Sequence, residues 1–460
     1  MTGMRGVALL AAVALVTGCG SDDAGSSSTA KEGDSCSREA ACGGQSLTCR
    51  FVAASATAEA TCQPEASTGS AAGAECSSTA DCRTGVCHFG VCSDLCGQTG
   101  DCGSGNVCEE ISVIEGGAQI LSACPDLSSL PRAKLCQPER ARLVRDLGSV
   151  ADGKVIVLDF PEGAASFSLV GRTEGAEPVG FGRLEAPDGE EIFLSTDDPA
   201  QMLKNDVWFY PDAFVSTLQV PTTPDHSLAR GPFCASVKSG GPLQVEAIVK
   251  RDQGGDVAHG KLSLNIYLTG LEAAGCGLAG ITAATASSHA VLSDALESAR
   301  TIFEGAAIEL GELSYHDRTT IPAIATLTTS DPSTFDPVFA LATESQGFSV
   351  DVFVVETIPD GAGFAGHMPG PPGKHGLPRS GVVVSADTAC TKTLGVTIAH
   401  EVSHLLGLFH NYQPDPGFED PIADSSSGKE NLMYITATPE SRQISPGQGF
   451  VLRRHPNVGW

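Results

Sequence analysis

Near the C-terminal end of this 460-residue chain stands the run His400-Glu401-Val402-Ser403-His404-Leu405-Leu406-Gly407-Leu408-Phe409-His410. Residues 393–406 carry an apolar helical pattern, so His400 and His404, four apart, project from one face. Two imidazoles at that spacing can hold one Zn2+ ion at about 2.0–2.1 Å. Glu401 lies beside such an ion without having to bind it, where it can act as general base toward a metal-acidified water. Gly407 ends the helix in a left-handed turn. That turn brings His410 round as a third ligand and leaves the fourth position open, as catalytic rather than structural zinc requires. With 11 histidines, and all 55 acidic residues counted as candidates for the glutamate, HExxH arises by chance in about 3 of 100 such chains. Adding the glycine and third histidine brings this below about one in ten thousand.

The elements that must position this run precede it. Residues 289–309 read as a long amphipathic helix, 349–356 (SVDVFVVE) as a buried strand and 380–385 (SGVVVS) as another. Between those strands, the Gly/Pro-rich stretch 361–376 carries His367 and His375 and reads as a surface loop or as a lip of a substrate cleft. His316 and His455 have no partner signal.

HEVSHLLGLFH resembles the HExxHxxGxxH signature of the metzincin clan of zinc endopeptidases. The clan's second mark is a methionine turn beneath the zinc, and Asn431-Leu432-Met433-Tyr434 places Met433 23 residues after His410. The resemblance covers residues 279–460. It implies an α+β catalytic domain, one catalytic zinc, hydrolysis of a protein or peptide substrate, and Met433 as support for the site. Within the clan, residues 418–425 and 444–448 look most like the pappalysin-type peptidases. Two features depart from that type: Ser425 is not followed by proline, and residues 411–431 lack cysteine. Tyr434 follows Met433 by one residue rather than two, so packing is as good a role for it as metal binding. Asp415, Asp420 and Asp424 could offer oxygens to Ca2+, but their spacing matches no calcium loop and they read as acidic surface.

Lys plus Arg total 28 against 55 Asp plus Glu, a net charge of −27, which argues against nucleic acid as a partner. Thirteen of the 17 cysteines fall in the 101 residues from Cys36 to Cys136. Their spacing lacks the CxxC pairs of zinc ribbons and reads as disulfides formed in an oxidising compartment, which excludes a reduced cytosolic enzyme. At the N-terminus, Arg5 precedes the apolar run 7–16 and then Thr17-Gly18-Cys19, a signal-peptide pattern. Val16-Thr17-Gly18-Cys19 resembles a bacterial lipoprotein signal, which implies lipidation of Cys19. Gly20 after it implies the outer membrane, and the chain would be secreted if Cys19 is not lipidated. No later stretch has eighteen consecutive apolar residues.

This yields a multidomain chain: a signal peptide (1–18), a flexible tether (19–32), disulfide-rich repeats (33–140), an all-β sandwich-like domain (141–275) and the metzincin-like domain (276–460). The repeats group as Cys36/42/49/62, Cys76/82/87/92 and Cys96/102/108/124, and their frame resembles small extracellular cysteine-rich domains of the Dickkopf type. Cys136 is left over. With Cys19 lipidated, 13 cysteines before residue 137 and three after it are both odd numbers, so one disulfide must join the regions. Cys136 is the expected donor, to Cys234, Cys276 or Cys390. In the middle domain, runs such as 154–160, 166–170, 243–249 and 261–268 alternate with turn signals, as in an antiparallel sandwich.

The leading expectation is a lipid-anchored, extracytoplasmic zinc endopeptidase with Glu401 as general base. The alternative is a lipid-anchored surface binding protein that recognises a partner through its cysteine-rich repeats and keeps the peptidase domain as scaffold. Intact Glu401 and all three histidines count against it. A zinc hydrolase of non-peptide amides is a third reading, which the clan resemblance disfavours.

Overall fold

The computed structural model describes residues 31–32, 47–51, 60–64, 69–112, 118–127, 130, 132–160, 163–174, 180–195, 205–210, 214–226, 228–272, 274–318, 327–387, 393–414 and 418–460. Cys19, Cys36, Cys42, Cys390 and Asp415 lie outside them. Sheets dominate, helices are few, and the chain forms several units. Among the described residues no helix is long and apolar enough to cross a membrane.

The cysteine-rich region builds two similar modules. Cys76–Cys87 and Cys82–Cys92 close the first, and Cys96–Cys108 and Cys102–Cys136 close the second. Each opens on a short 3-10 turn, Thr79–Asp81 or Thr99–Asp101. In the first turn Asp81 accepts the Ser77 and Ser78 amides; in the second Asp101 accepts those of Gly97 and Gln98. So short a segment cannot bury much apolar surface, and its sulfurs supply much of its small core.

Cys136 does not staple the regions together. The hairpin Asn106–Ser112 with Arg132–Pro138 sets Cys136 opposite Cys108, beside Cys102 of the same module. Among the described residues the disulfide seen to join them is Cys124–Cys234, across 110 residues. Its cause is the strand just before Cys124: β1 (Ala118–Leu121) leaves the repeats and joins a sheet of the sandwich. A buried ion pair, Arg251 to both oxygens of Glu109 at 2.7 and 2.8 Å, ties the same two regions.

The sandwich comprises β1, β2 (Ala141–Val150), β3 (Val155–Phe160), β4 (Ala164–Arg172), β5 (Gly180–Glu185), β6 (Glu191–Leu194), β7 (Val215–Val220), β8 (Gly231–Lys238) and β9 (Leu243–Arg251). Its antiparallel sheets run β7-β4-β9-β2 and β6-β5-β8-β3-β1. Inward residues alternate along each strand, and Phe160, Phe167 and Phe233 pack within 4.4–5.6 Å in the shared core. The outward face of the first sheet is buried too. Ser166 donates to the Arg454 carbonyl, and Lys250 donates to the carbonyls of Arg453 and Val458 (2.6 Å to the latter), docking the sandwich onto the C-terminal unit.

That unit holds a mostly parallel sheet, β11 (Ile308–Arg318), β10 (Gly260–Thr269), β12 (Val350–Val355), β14 (Gly381–Ser385) and β13 (Gly363–Ala365), with β15 (Val458–Gly459) pairing β10. The edge strand β13 alone on this path runs antiparallel, against β14. The run 261–268 therefore belongs here and not to the sandwich. Its period-two pattern arises because Leu262, Leu264 and Ile266 enter the helix-covered core while Lys261, Ser263 and Asn265 meet a polar cleft. Helix α1 (Ala290–Gly305) stops short of residue 309, because Ala307 takes a positive φ of 56° and Ile308 already opens β11. Helices α1 and α2 (Leu394–Leu405) cover one face of the sheet. Tyr267, Phe335, Phe339 and Phe353 cover part of the other, and α3 (Pro446–Arg454) closes the unit.

Candidate metal centre

Every residue of α2 is buried, so its register against the sheet is fixed by packing and not by propensity alone. Its spacing places His400 and His404 on one face. Gly407 comes next with φ +104°, a conformation only glycine adopts without strain, and the chain turns back. The turn does two things: it brings His410 to the other two imidazoles, and it aims the Leu408 carbonyl at His404.

The hydrogen-bond partners set the tautomers. His400 Nδ1 donates to the Leu432 carbonyl at 2.7 Å and His404 Nδ1 donates to the Leu408 carbonyl at 2.7 Å. A carbonyl only accepts, so in each neutral ring Nε2 carries the lone pair. His404 Nε2 stands 3.1 Å from His400 Nε2 and 3.2 Å from His410 Nε2. At least the first of these is not a hydrogen bond, since neither nitrogen bears a proton. Burial keeps the rings neutral. It pushes His400 down to about 3, helped by His410, and lowers His404 and His410 as well. A tetrahedral ion with nitrogen ligands at about 2.05 Å sets those ligands roughly 3.3 Å apart. The cradle therefore fits zinc, and each of those two Nδ1–carbonyl bonds is the outer-shell contact that orients a metal-binding histidine.

Glu401, 8 % exposed, faces the edge strand β13. Burial pushes its carboxyl up to about 8, opposed by a hydrogen bond from the Ala365 amide. The bare backbone of Gly363 lies against it: a Cβ there would stand 2.5–2.8 Å from Glu401 Cγ, Oε1 and Cδ.

Met433 is fully buried within a locked turn. Its amide donates to Asn431 Oδ1 (2.8 Å), and the Asn431 amide group exchanges hydrogen bonds with Gln448 of α3. The turn thereby fixes the Leu432 carbonyl that holds His400. Tyr434 is half-buried and bridges to Tyr412. His367 donates to the Pro369 carbonyl, and His375 is bound to Asp351 and Gly347. Neither joins the imidazole cluster; both brace the loop after β13. His316 stacks on Tyr267 and His455 bonds the Gly370 carbonyl. Asp420 is buried rather than surface-exposed, accepting from Ser425 and Ile422, and Asp424 accepts from Ser445 and Gly447 at the start of α3. These carboxylates have structural partners, and no calcium arrangement is seen among the described residues.

Sequence reasoning placed Gly363 and Ala365 only within the stretch 361–376 and did not reach their contact with Glu401, nor the carbonyls of Leu408 and Leu432. Backbone groups carry no residue-type signal, and a single glycine on a short strand has none either.

No family model and no curated protein matches the chain. Among solved structures it is similar to the crystal structure of protein YXIM from Bacillus subtilis, at 11% sequence identity and a TM-score of 0.14, over 46% of this chain and 52% of that one. The match spans about half the length of that protein, and a likeness of that size carries no argument about fold or function.

Proposed function

We propose that the chain is a zinc-dependent endopeptidase of the metzincin type, most like the pappalysins, carried on the outer membrane of a bacterial envelope by a lipid on Cys19. The observation that carries the reading is the convergence of three imidazoles, two with the lone pair fixed on Nε2 by carbonyl partners, beside a buried glutamate. Support for the clan comes from the sequence signature, the positive-φ Gly407 and the Met433 turn that orients His400. The lipid anchor rests on the sequence pattern at Cys19.

His400, His404 and His410 would hold the ion. Bound there, zinc supplies Lewis acidity that polarises a carbonyl and acidifies water. Beside a divalent cation the ionised form of Glu401 is favoured over the neutral form that burial imposes. The Glu401 carboxylate then accepts a proton from the attacking water and returns it to the leaving nitrogen. The Ala365 amide and the bare Gly363 backbone keep its oxygens in place.

Glu401→Ala is expected to reduce casein cleavage by at least about 100-fold, the usual range for losing a general base, while atomic absorption still finds one zinc per chain. His404→Ala is expected to lose the metal itself. Full proteolysis by Glu401→Ala overturns the assignment.

A further inference from the structure

The face of the parallel sheet turned away from α2 carries a second concavity. Leu262, Leu264 and Ile266 of β10 enter the core beneath the helices, so Lys261, Ser263 and Asn265 project from the opposite face. There they line a cleft of about 570 Å³ together with His316 of β11, Arg142 of the sandwich, Phe348 and Trp460. None of the zinc-site residues lines it, so a ligand here is independent of the peptidase reading.

Arg142 distinguishes this cleft. Its guanidinium lies 4.5 Å from the centroid of the Phe348 ring and 5.3 Å from that of Trp460. Its Nε is buried without a hydrogen-bond partner, and no carboxylate among the described residues pairs with it. Burial lowers its pKa to about 10. The chain has 55 acidic residues for 28 basic ones, so a partly buried arginine left without an acid is unexpected. His316 Nε2, in the same cleft, is likewise buried without a partner. Of the charged groups lining the cleft, Glu344 is held by Arg318 and Lys261 stands 4.0 Å from Glu309, so Arg142 is the cation there that has no carboxylate partner among the described residues.

We infer that this cleft binds the C-terminal carboxylate of a peptide, with Arg142 as its partner and the Phe348 and Trp460 rings as walls for the terminal side chain. A guanidinium stacked on a ring keeps its in-plane N–H groups free, and their fork matches a carboxylate with two parallel hydrogen bonds. The ring faces take an apolar or aromatic body. A bare oxyanion would leave those faces unmatched.

The test uses the full-length chain, dialysed against chelator to keep carboxylates off the histidine cluster. N-acetylphenylalanine and its amide are titrated in by calorimetry. The chain has two tryptophans, so Trp208→Phe leaves Trp460 as the sole indole reporter. The acid is expected to bind and to quench Trp460, and the amide to bind at least about tenfold more weakly. Arg142→Met is expected to weaken the acid by a similar factor without changing the amide, as for loss of a hydrogen bond to a charged group. Equal binding of acid and amide, an unchanged acid affinity in Arg142→Met, or inorganic phosphate binding as tightly as the acid overturns the proposal. If Arg142→Met does not fold, the acid–amide comparison on the unmodified chain still decides.

Discussion

Two regions of this molecule bring metal-ligating side chains together, and they treat them in opposite ways. In the cysteine-rich modules, Cys76, Cys82 and Cys87, and again Cys96, Cys102 and Cys136, lie close enough to share an ion. Every one of those sulfurs is already in a disulfide. At the end of α2, by contrast, the second nitrogens of His400 and His404 are committed to backbone carbonyls, which leaves their Nε2 lone pairs facing His410 and one another. Proximity alone does not make a metal site. What decides is whether the donor electrons are already committed, and the cysteine modules commit theirs to stability whereas the histidine centre leaves them available.

The contrast predicts that chelator and reductant act on different halves. Removing metal with chelator should abolish proteolysis. It should also lower stability by about 2.7 kcal/mol relative to protein holding zinc at a hundredfold excess over Kd, with no new thiols on titration. Mild reduction should release thiols while the zinc stays. Loss of stoichiometric zinc on reduction, with the histidine fold intact, would break the comparison.

The next largest effect tests how the halves are joined. Cys124–Cys234 closes a 110-residue loop that Cys102–Cys136 does not shorten. Replacing both cysteines by serine should cost about 2–5 kcal/mol in denaturant unfolding. Zinc content should be unchanged, because no zinc-site residue touches the staple. A double variant as stable as the parent would mean that Arg251–Glu109 and the shared sheet suffice to hold the repeats.

A smaller effect is expected inside the site. In Gly363→Ala the new methyl must displace the Glu401 carboxylate, because at 2.5–2.8 Å both cannot keep their places. A shift of this size in a catalytic group should lower kcat by about 10–100-fold with zinc retained. Unchanged kcat would show that Glu401 does not need the β13 backbone to position it.

Most of the candidate site's geometry was legible because it resides in residue types: the spacing of His400, Glu401, His404, Gly407 and His410 implies a helix, a turn and a cluster, and the structure has all three. The strands VDVFVV and GVVVS were legible as buried because both of their faces are covered. Less legible was anything set by a partner distant in sequence. Lys261–Leu268 alternates like an antiparallel strand, yet parallel neighbours at 308–318 and 350–355 decide its sheet. Counting cysteines correctly required a disulfide between the regions, but not which cysteine made it. That depended on β1 leaving its module for the sandwich, and four residues with the pattern Ala-Gln-Ile-Leu do not announce such a pairing.

The smallest expected effect asks whether proton-dependent stability belongs to the half that carries the histidine cluster. His375, in the loop after β13, has both ring nitrogens against acceptors: Asp351 Oδ2 at 2.7 Å and the Gly347 carbonyl at 3.0 Å. Only the imidazolium can donate to both. Burial by itself would lower its pKa; the hydrogen bond and charge of Asp351, with the Gly347 carbonyl, outweigh that and raise it above its ordinary value. A raised pKa in the folded state means stabilisation that is complete below the unfolded value of about 6.5 and is lost as pH climbs through the folded value. The parent should therefore exceed His375→Gln in melting temperature by on the order of 1–3 °C below pH 6.5, a gap that narrows toward alkaline pH. Taking the difference between the two proteins cancels the buried neutral histidines, His88, His400, His404 and His455, whose lowered pKa values act with the opposite sign. A gap that stays constant with pH would mean that His375 serves only as packing, and that the loop after β13 is held without a proton.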